Sequence, residues 1–240
     1  MGTLANKIKS ARCPAVSAVI VAGGSGTRFG GDKLMAALGD MPVLARTLLA
    51  FERAPLVSEI VIATRPETVT DVVNLCRQYH ITKAVNVVPG GESRLLSSLN
   101  GVVMTSKKSG IVAIHDAARP LVTDKLIEDA IWAAHLHQAA VPAVPVKDTV
   151  KIASGHIVQS TPERSSLFAV QTPQCFTREL ILAALLRASE QEPALTDDCM
   201  AFEHMGGQVW LTEGSEENIK ITTPLDLEVA ELILKRRERT

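Results

Sequence analysis

The sequence predicts an α/β fold: a mostly parallel, twisted sheet with helices on both faces and a projecting β-arm. Three observations predict it. From Val16 onward, short β-branched runs alternate with longer stretches whose apolar residues recur every three or four positions. The short runs are almost continuously apolar, as strands covered on both faces must be. Between residues 144 and 166 the rhythm changes to two short alternating runs around a Ser154-Gly155 turn.

In order along the chain, strands are predicted at 16–21, 59–63, 84–88, 111–114 and 140–144, and helices at 43–53, 69–79, 95–106 and 125–137. Parallel strands need a crossover, and each helical stretch supplies one, so the alternation builds a parallel sheet. The segment 144–166 reads as a hairpin arm. An isolated hairpin is only marginally stable in water, so a second subunit is expected to cover it. The run 168–176, a helix over 178–190, a strand near 208–212 and a helix over 224–239 then return to the core, the last helix opening on Pro224. Its final Lys235, Arg236, Arg237 and Arg239 suit the negative end of the helix dipole. The resulting division is a disordered N-terminus over 1–14, a core over 15–143 and 167–240, and an arm over 144–166. Lys7, Lys9 and Arg12 make that terminus basic; it lacks the apolar region of a secretory signal, and the other reading of it is the remnant of an organelle-targeting segment.

Composition bounds the rest. A length of 240 residues corresponds to one large domain, or one domain with a small appendage. Hydrophobic residues at 46% and charged residues at 21% support a substantial core. Lys+Arg 25 against Asp+Glu 26 argues against binding nucleic acid by bulk charge. No apolar stretch approaches the roughly 20 residues of a membrane span, so a soluble protein is expected. Cys13, Cys76, Cys175 and Cys199 are scattered without metal-site spacing, which fits a reducing compartment, and the cytoplasm is the expected location.

The strongest chemical signal is Ala22-Gly23-Gly24-Ser25-Gly26-Thr27-Arg28 directly after the first strand, followed by Lys33. Glycines let backbone amides face an anion, and Arg28 and Lys33 add full charges, so the segment reads as a polyphosphate cradle. It is not a Walker A loop, since no Gly-Lys-Ser/Thr closes it. Nor is it the dinucleotide fingerprint, since Phe29 takes the place of the third glycine and no acid lies about 20 residues on, which argues against a dehydrogenase. The second signal is Ile111 through His115, Asp116, Ala117, Ala118, Arg119 and Pro120. A strand running into Asp116 sets a carboxylate at the carboxyl edge of the sheet, where it suits Mg²⁺; a helix N-cap or a pair with Arg119 is the structural alternative. His115 reads as a packed or orienting residue. Lys220, read as lying on a short strand before the last helix, is either a surface residue or a third member of one convergent site.

Together with Val146 to Lys151, Gln171-Thr172-Pro173-Gln174, Thr196-Asp197-Asp198 and Asn218-Ile219-Lys220, these motifs resemble the 2-C-methyl-D-erythritol 4-phosphate cytidylyltransferases over nearly the whole chain from Val16. The resemblance implies a Rossmann-like nucleotidyltransferase fold, a homodimer joined by the arm, and transfer of CMP from CTP to a sugar-alcohol phosphate with release of pyrophosphate. It further implies that Ala22, Gly23, Gly24, Ser25, Gly26, Arg28 and Lys33 hold the triphosphate, that Asp116 binds Mg²⁺, and that Lys220 neutralises charge where the phosphates meet. Arg28, Lys33 and Lys220 are the expected catalytic residues. By the same resemblance, Gly90, Gly91, Glu92 and Ser97 read cytosine. Thr149 and Arg164 reach the partner subunit's substrate phosphate, and Thr172 and Thr196 line that site. Asp32-Lys33-Leu34 stands where many members have Pro-Lys-Gln, and Ala22-Gly23-Gly24 where many have Ala-Ala-Gly. The Ala-Gly-Gly loop and Lys220-Ile221-Thr222-Thr223-Pro224 also occur in ribitol 5-phosphate cytidylyltransferases, which sets the alternative enzyme. A nucleotide-binding regulatory protein without turnover is the alternative of a different class.

Overall fold

The fold is taken from a computed structural model that describes residues 13–24, 29–191 and 195–239. Strands β1 (Val16–Ala22), β4 (Val57–Thr64), β5 (Ala84–Pro89), β6 (Ile111–Asp116), β7 (Ala139–Pro145), β10 (Phe168–Val170), β11 (Gln174–Thr177) and β12 (Trp210–Glu213) form one eight-stranded sheet. Its order is β10-β7-β11-β6-β1-β4-β5, with β12 also on β7. All but β10 and β11 run in one direction. Two short pairs stand apart: β2 (Ala37–Leu38) with β3 (Met41–Pro42), and β8 (Ile152–Ser154) with β9 (Ile157–Ser160).

The period of two along the strands divides the core between the two faces. Ala18, Ile20, Ile60, Ile62, Ile111 and Ala113 point to one side, where α1 (Val43–Arg53), α2 (Val69–Gln78), α4 (Asp124–His137) and α7 (Pro224–Arg237) cover them. Val19, Val61, Val112 and Ile114 point to the other, under α3 (Arg94–Val103), α5 (Arg178–Gln191) and α6 (Asp198–His204). Each fully buried Val, Leu or Ile contributes about 1.5–3 kcal/mol. Gly101 lets α3 lie close on the sheet: a Cβ there would sit 2.4 Å from Val19 Cγ1.

Several expectations need correction. The terminus predicted as disordered through residue 14 is packed from Cys13, which lies against the core, while residues 1–12 lie outside the described residues. The arm starts after 145, because Val144 and Pro145 still pair with Ala169 and Phe168. The run 168–176 is a single course along one edge of β7, broken in the middle. Val170 faces Ala143 but Cys175 faces Ala140, so five steps on one side answer three on the other, and two extra residues bulge out around Gln171, Thr172 and the cis peptide before Pro173. The stretch around Lys220 is not a strand; hydrogen bonds from Arg119 Nη1 to Asn218 O (2.7 Å) and from Ile221 N to Ala118 O (2.8 Å) hold it instead.

Hairpin β8–β9 shares no hydrogen bonds with the main sheet, and all its residues are exposed, including Ile152, Ile157 and Val158. Among the described residues, no helix is long and apolar enough to cross a membrane.

Candidate active site

From β1 the chain passes to β4 and β5 on one side, while β6 lies on the other. The carboxyl ends of β1 and β6 therefore form a topological switch point, where open α/β sheets bind ligands. A cleft of about 320 Å³ opens there, lined by Ala22, Gly23, Gly24, Lys33, Gly91, Glu92, Ser93, Arg94, Ser97, Asp116 and Lys220 among others. The amino end of α3 also meets it. Ser93 caps that helix by accepting from Leu96 N at 3.2 Å, so its positive dipole end is presented to the cleft.

Asp116 is the electrostatic centre. It is 6% exposed, at the end of a fully buried strand. Arg94 Nη1 bonds Oδ1, Lys220 Nζ lies 2.9 Å from Oδ2, and Arg119 Nε lies 3.5 Å from the same oxygen. Burial alone would raise its pKa, but Arg94 above all, with Lys220 and Arg119, holds the carboxyl well below its ordinary range. Arg94 also reaches Asp198, Nη2 to Oδ2 at 2.8 Å. Burial works against its charge, yet Asp198 and Asp116 together raise its pKa, so the guanidinium keeps its proton.

Beneath this cluster the bulge performs its positioning role. Thr172 Oγ1 accepts from Asp116 N at 3.1 Å and meets His115 Nδ1 at 3.0 Å, while His115 Nε2 meets Arg119 O at 3.2 Å. A carbonyl only accepts, so Nε2 carries the proton, and Nδ1 takes the hydroxyl hydrogen of Thr172. Burial, the leading cause, drops the His115 pKa to about 3. The imidazole is therefore neutral at physiological pH, with both nitrogens engaged. Fully buried Asn218 donates from Nδ2 to Thr172 O (3.0 Å) and Gln171 Oε1 (3.3 Å), which locks the segment that carries Lys220.

Asp32, just before Lys33, is engaged at both carboxylate oxygens. Asp32 Oδ1 accepts from Leu34 N at 3.1 Å, and its Oδ2 accepts from Arg65 Nη2 at 2.8 Å. Asp32 thus builds an Asx turn around Lys33 and pins it to the chain beyond β4.

Of the sequence-predicted site residues, the structure brings Ala22, Gly23, Gly24, Lys33, Gly91, Glu92, Ser97, Asp116 and Lys220 to one cleft. Ser25, Gly26 and Arg28 lie outside the described residues. Gly90 sits behind the wall. Its amide donates to Thr64 O at 2.6 Å, and a Cβ there would come 2.9 Å from Ser97 Oγ, so it supplies space for Ser97 rather than a donor for a ligand. The buried Thr172 has its hydroxyl engaged by His115 and Asp116, beneath the cleft rather than on its surface. Thr149 and Arg164 are exposed on the arm side, where Arg164 Nη1 donates to Lys147 O at 3.1 Å, and exposed Thr196 places its hydroxyl 3.0 Å from Met200 Sδ.

Arg94 and Ser93 were not predicted. Arg94 had a legible signal: it directly follows a helix N-cap, where the dipole disfavours a cation. Its two carboxylate partners, 22 and 104 positions away, were not legible.

Comparisons with known proteins concern the chain as a whole. Residues 16–236 match the family described as "IspD: 2-C-methyl-D-erythritol 4-phosphate cytidylyltransferase". A protein of that name from Caldanaerobacter subterraneus subsp. tengcongensis is 45% identical over 225 residues, 92% of this chain and 99% of the relative. One from Clostridium acetobutylicum is 41% identical over 227 residues, 91% of this chain and 97% of its own length. Among solved structures, 4-diphosphocytidyl-2C-methyl-D-erythritol synthase from Anaerococcus prevotii superposes with a TM-score of 0.83 at 31% identity, covering 93% of this chain and 100% of that one. The cytidylyltransferase from Thermus thermophilus gives 0.75 at 29% identity, covering 90% and 98%.

Proposed function

The chain belongs to the 2-C-methyl-D-erythritol 4-phosphate cytidylyltransferase family, and from that premise we infer that its cleft joins two anions by means of cations, without a protein general base. The protein is a cytidylyltransferase. It forms 4-diphosphocytidyl-2-C-methyl-D-erythritol from CTP and 2-C-methyl-D-erythritol 4-phosphate, in non-mevalonate isoprenoid biosynthesis. The observation that carries the mechanism is the convergence of Lys33, Arg94, Asp116 and Lys220 on one cleft beside Gly23 and Gly24.

A phosphate monoester has a second pKa near 6, so the acceptor arrives as a dianion and is already a nucleophile. His115, whose imidazole could otherwise serve as a base, is buried, neutral and bonded at both nitrogens. The barrier is repulsion between the dianion and the α-phosphate. Preorganised cations lower it most when they are fixed before the reaction, which the Asx turn does for Lys33 and Asn218 does for Lys220. In this reading Lys220 exchanges its bond to Asp116 for phosphate oxygens when nucleotide enters, and Lys33 with Arg28 takes the triphosphate. Ser97, Gly91 and Glu92 form the wall that meets the base.

Mg²⁺ belongs to the same proposal. Among the described residues no group of three or more His, Cys, Asp or Glu could hold a metal ion, and Asp116 shares the cleft lining with one other carboxylate, Glu92, beside the cations Lys33, Arg94 and Lys220. That donor set fits Mg²⁺, which takes one or two carboxylates and completes its shell with phosphate oxygens and water. Asp116 would hold it, and bound Mg²⁺ supplies charge neutralisation of the departing pyrophosphate.

The arm supports a homodimer: hairpin β8–β9 exposes Ile152, Ile157 and Val158 away from the main sheet. In that assembly Thr149 and Arg164 would reach the other subunit's acceptor phosphate, near its Thr196. The cytoplasm as location is supported by four unpaired cysteines.

Pyrophosphate release, measured across CTP, UTP and ATP with methylerythritol phosphate and ribitol 5-phosphate as acceptors, tests the reading. Release with CTP and the first acceptor alone is expected. Faster turnover of ribitol phosphate would reassign the acceptor, and no release with any pair would leave a nucleotide-binding protein.

A further inference from the structure

We propose that Arg94 and Asp198 act as a positioning pair: Asp198 holds one end of the Arg94 fork so that the other end fixes the Asp116 carboxylate and ties the Thr196 segment to the nucleotide cleft. The inference rests on the reaction above and deepens the account of its site.

Asp198 is 1% exposed and does not line the cleft, so it acts through another group. Capping does not require its carboxylate. The amino end of α6 is served by Asp197 Oδ1, which accepts from Met200 N at 3.0 Å, and by Gln174 Oε1, which accepts from Asp198 N (3.0 Å) and Cys199 N (3.1 Å). Likewise α3 is capped by Ser93, and Arg94 stands at the dipole end that repels it. Buried ion pairs of this kind add little to stability compared with apolar packing. What the pair does achieve is geometric. A guanidinium offers donors in a rigid fork, and here one nitrogen meets each carboxylate. Asp116 cannot rotate without breaking the Nη1 bond, and Arg94 cannot follow it without breaking the Nη2 bond. The same fork joins three segments: the first turn of α3, the end of β6, and the first turn of α6 just after Thr196.

A lysine at 94 keeps the charge but replaces the rigid fork, whose separate nitrogens meet the two carboxylates, with a single flexible ammonium. The test uses full-length wild type, Arg94→Lys, Asp198→Asn and the double variant. It reads kcat and both KM values by pyrophosphate release from CTP and methylerythritol phosphate, CTP binding by calorimetry, and melting temperature. Each single variant should lose about tenfold or more in kcat, the usual cost of misplacing a reacting group, with a smaller change in CTP affinity, in protein whose melting curve shows it folded at the assay temperature. The double variant should be no worse than Arg94→Lys if Asp198 acts on the site through Arg94. Losses under threefold in Arg94→Lys, or losses that multiply in the double variant, overturn the pair. If Arg94→Lys does not fold, Asp198→Asn decides by the same threshold. Inactive wild type would remove the reaction and this inference with it, whereas active wild type with active variants overturns the inference alone.

Discussion

Replacing Lys220 by alanine should lower kcat by on the order of 10², and the structure sets that magnitude. Lys220 Nζ lies 2.9 Å from Asp116 Oδ2, its side chain is 39% exposed, and it lines the same cleft as Lys33. A unit charge about 4 Å from a phosphoryl oxygen is worth about 4 kcal/mol at an effective dielectric near 20. Exposure to water and salt removes up to half of that, which leaves about 2–3 kcal/mol, or a factor of roughly 30 to 150 in rate. The loss does not come from Asp116 becoming protonated, because Arg94 leads the cations that hold its pKa down and remains in place. Stability should move by less than about 1 kcal/mol, since the pair is partly solvated. The assay is pyrophosphate release at saturating CTP and acceptor, at neutral pH, beside a melting curve. If the variant melts normally and keeps kcat within threefold, the charge of Lys220 is not used in the transition state. If KM for CTP alone rises, Lys220 binds nucleotide equally in the ground and transition states.

Three other outcomes are expected. Mixing Arg164→Ala with Lys33→Ala subunits should restore activity that neither has alone; no recovery after demonstrated subunit exchange would refute a site shared across the dimer. Asn218→Ala should cost about 1–3 kcal/mol in urea unfolding, because Thr172 O is left buried without its donor, and should also reduce kcat by loosening Lys220; full activity would show that Asn218 does not position it. Asp226 closes the capping box of α7, and although burial pushes its pKa up, hydrogen bonds from Thr222 and Thr223 bring it below the ordinary 3.8. A depressed pKa means stabilisation that is present above the ordinary value and lost as pH falls through the folded one, so Asp226→Asn should cost about 0.3–1 kcal/mol near neutrality and nothing in strong acid. A cost that does not change with pH would refute that account.

The strands and helices that carry the site were legible because their signal is local. The apolar runs of β1 and β6 and the spacing in α1 and α4 were read within a residue or two of where they form. Less legible were elements that exist only through distant partners. The two-residue strands β2 and β3 have no periodicity to read. The short helix α6 begins where Gln174, far back in the chain, supplies its capping oxygen. The break between β10 and β11 shows only in register against β7.

The order of the motifs, and the functional groups each offers, were legible in the residues alone: a glycine loop with cations, a carboxylate at a strand end, a lysine before a proline-started helix. Backbone propensity and side-chain charge act over a few positions, so one dimension suffices to read them. That Asp116 would be gripped by Arg94, Lys220 and Arg119, that Thr172 would support it from below, and that Asp198 would hold the other end of Arg94 were decided by packing. A charge acts on whatever lies within a few ångströms, and only the folded chain determines which residues those are.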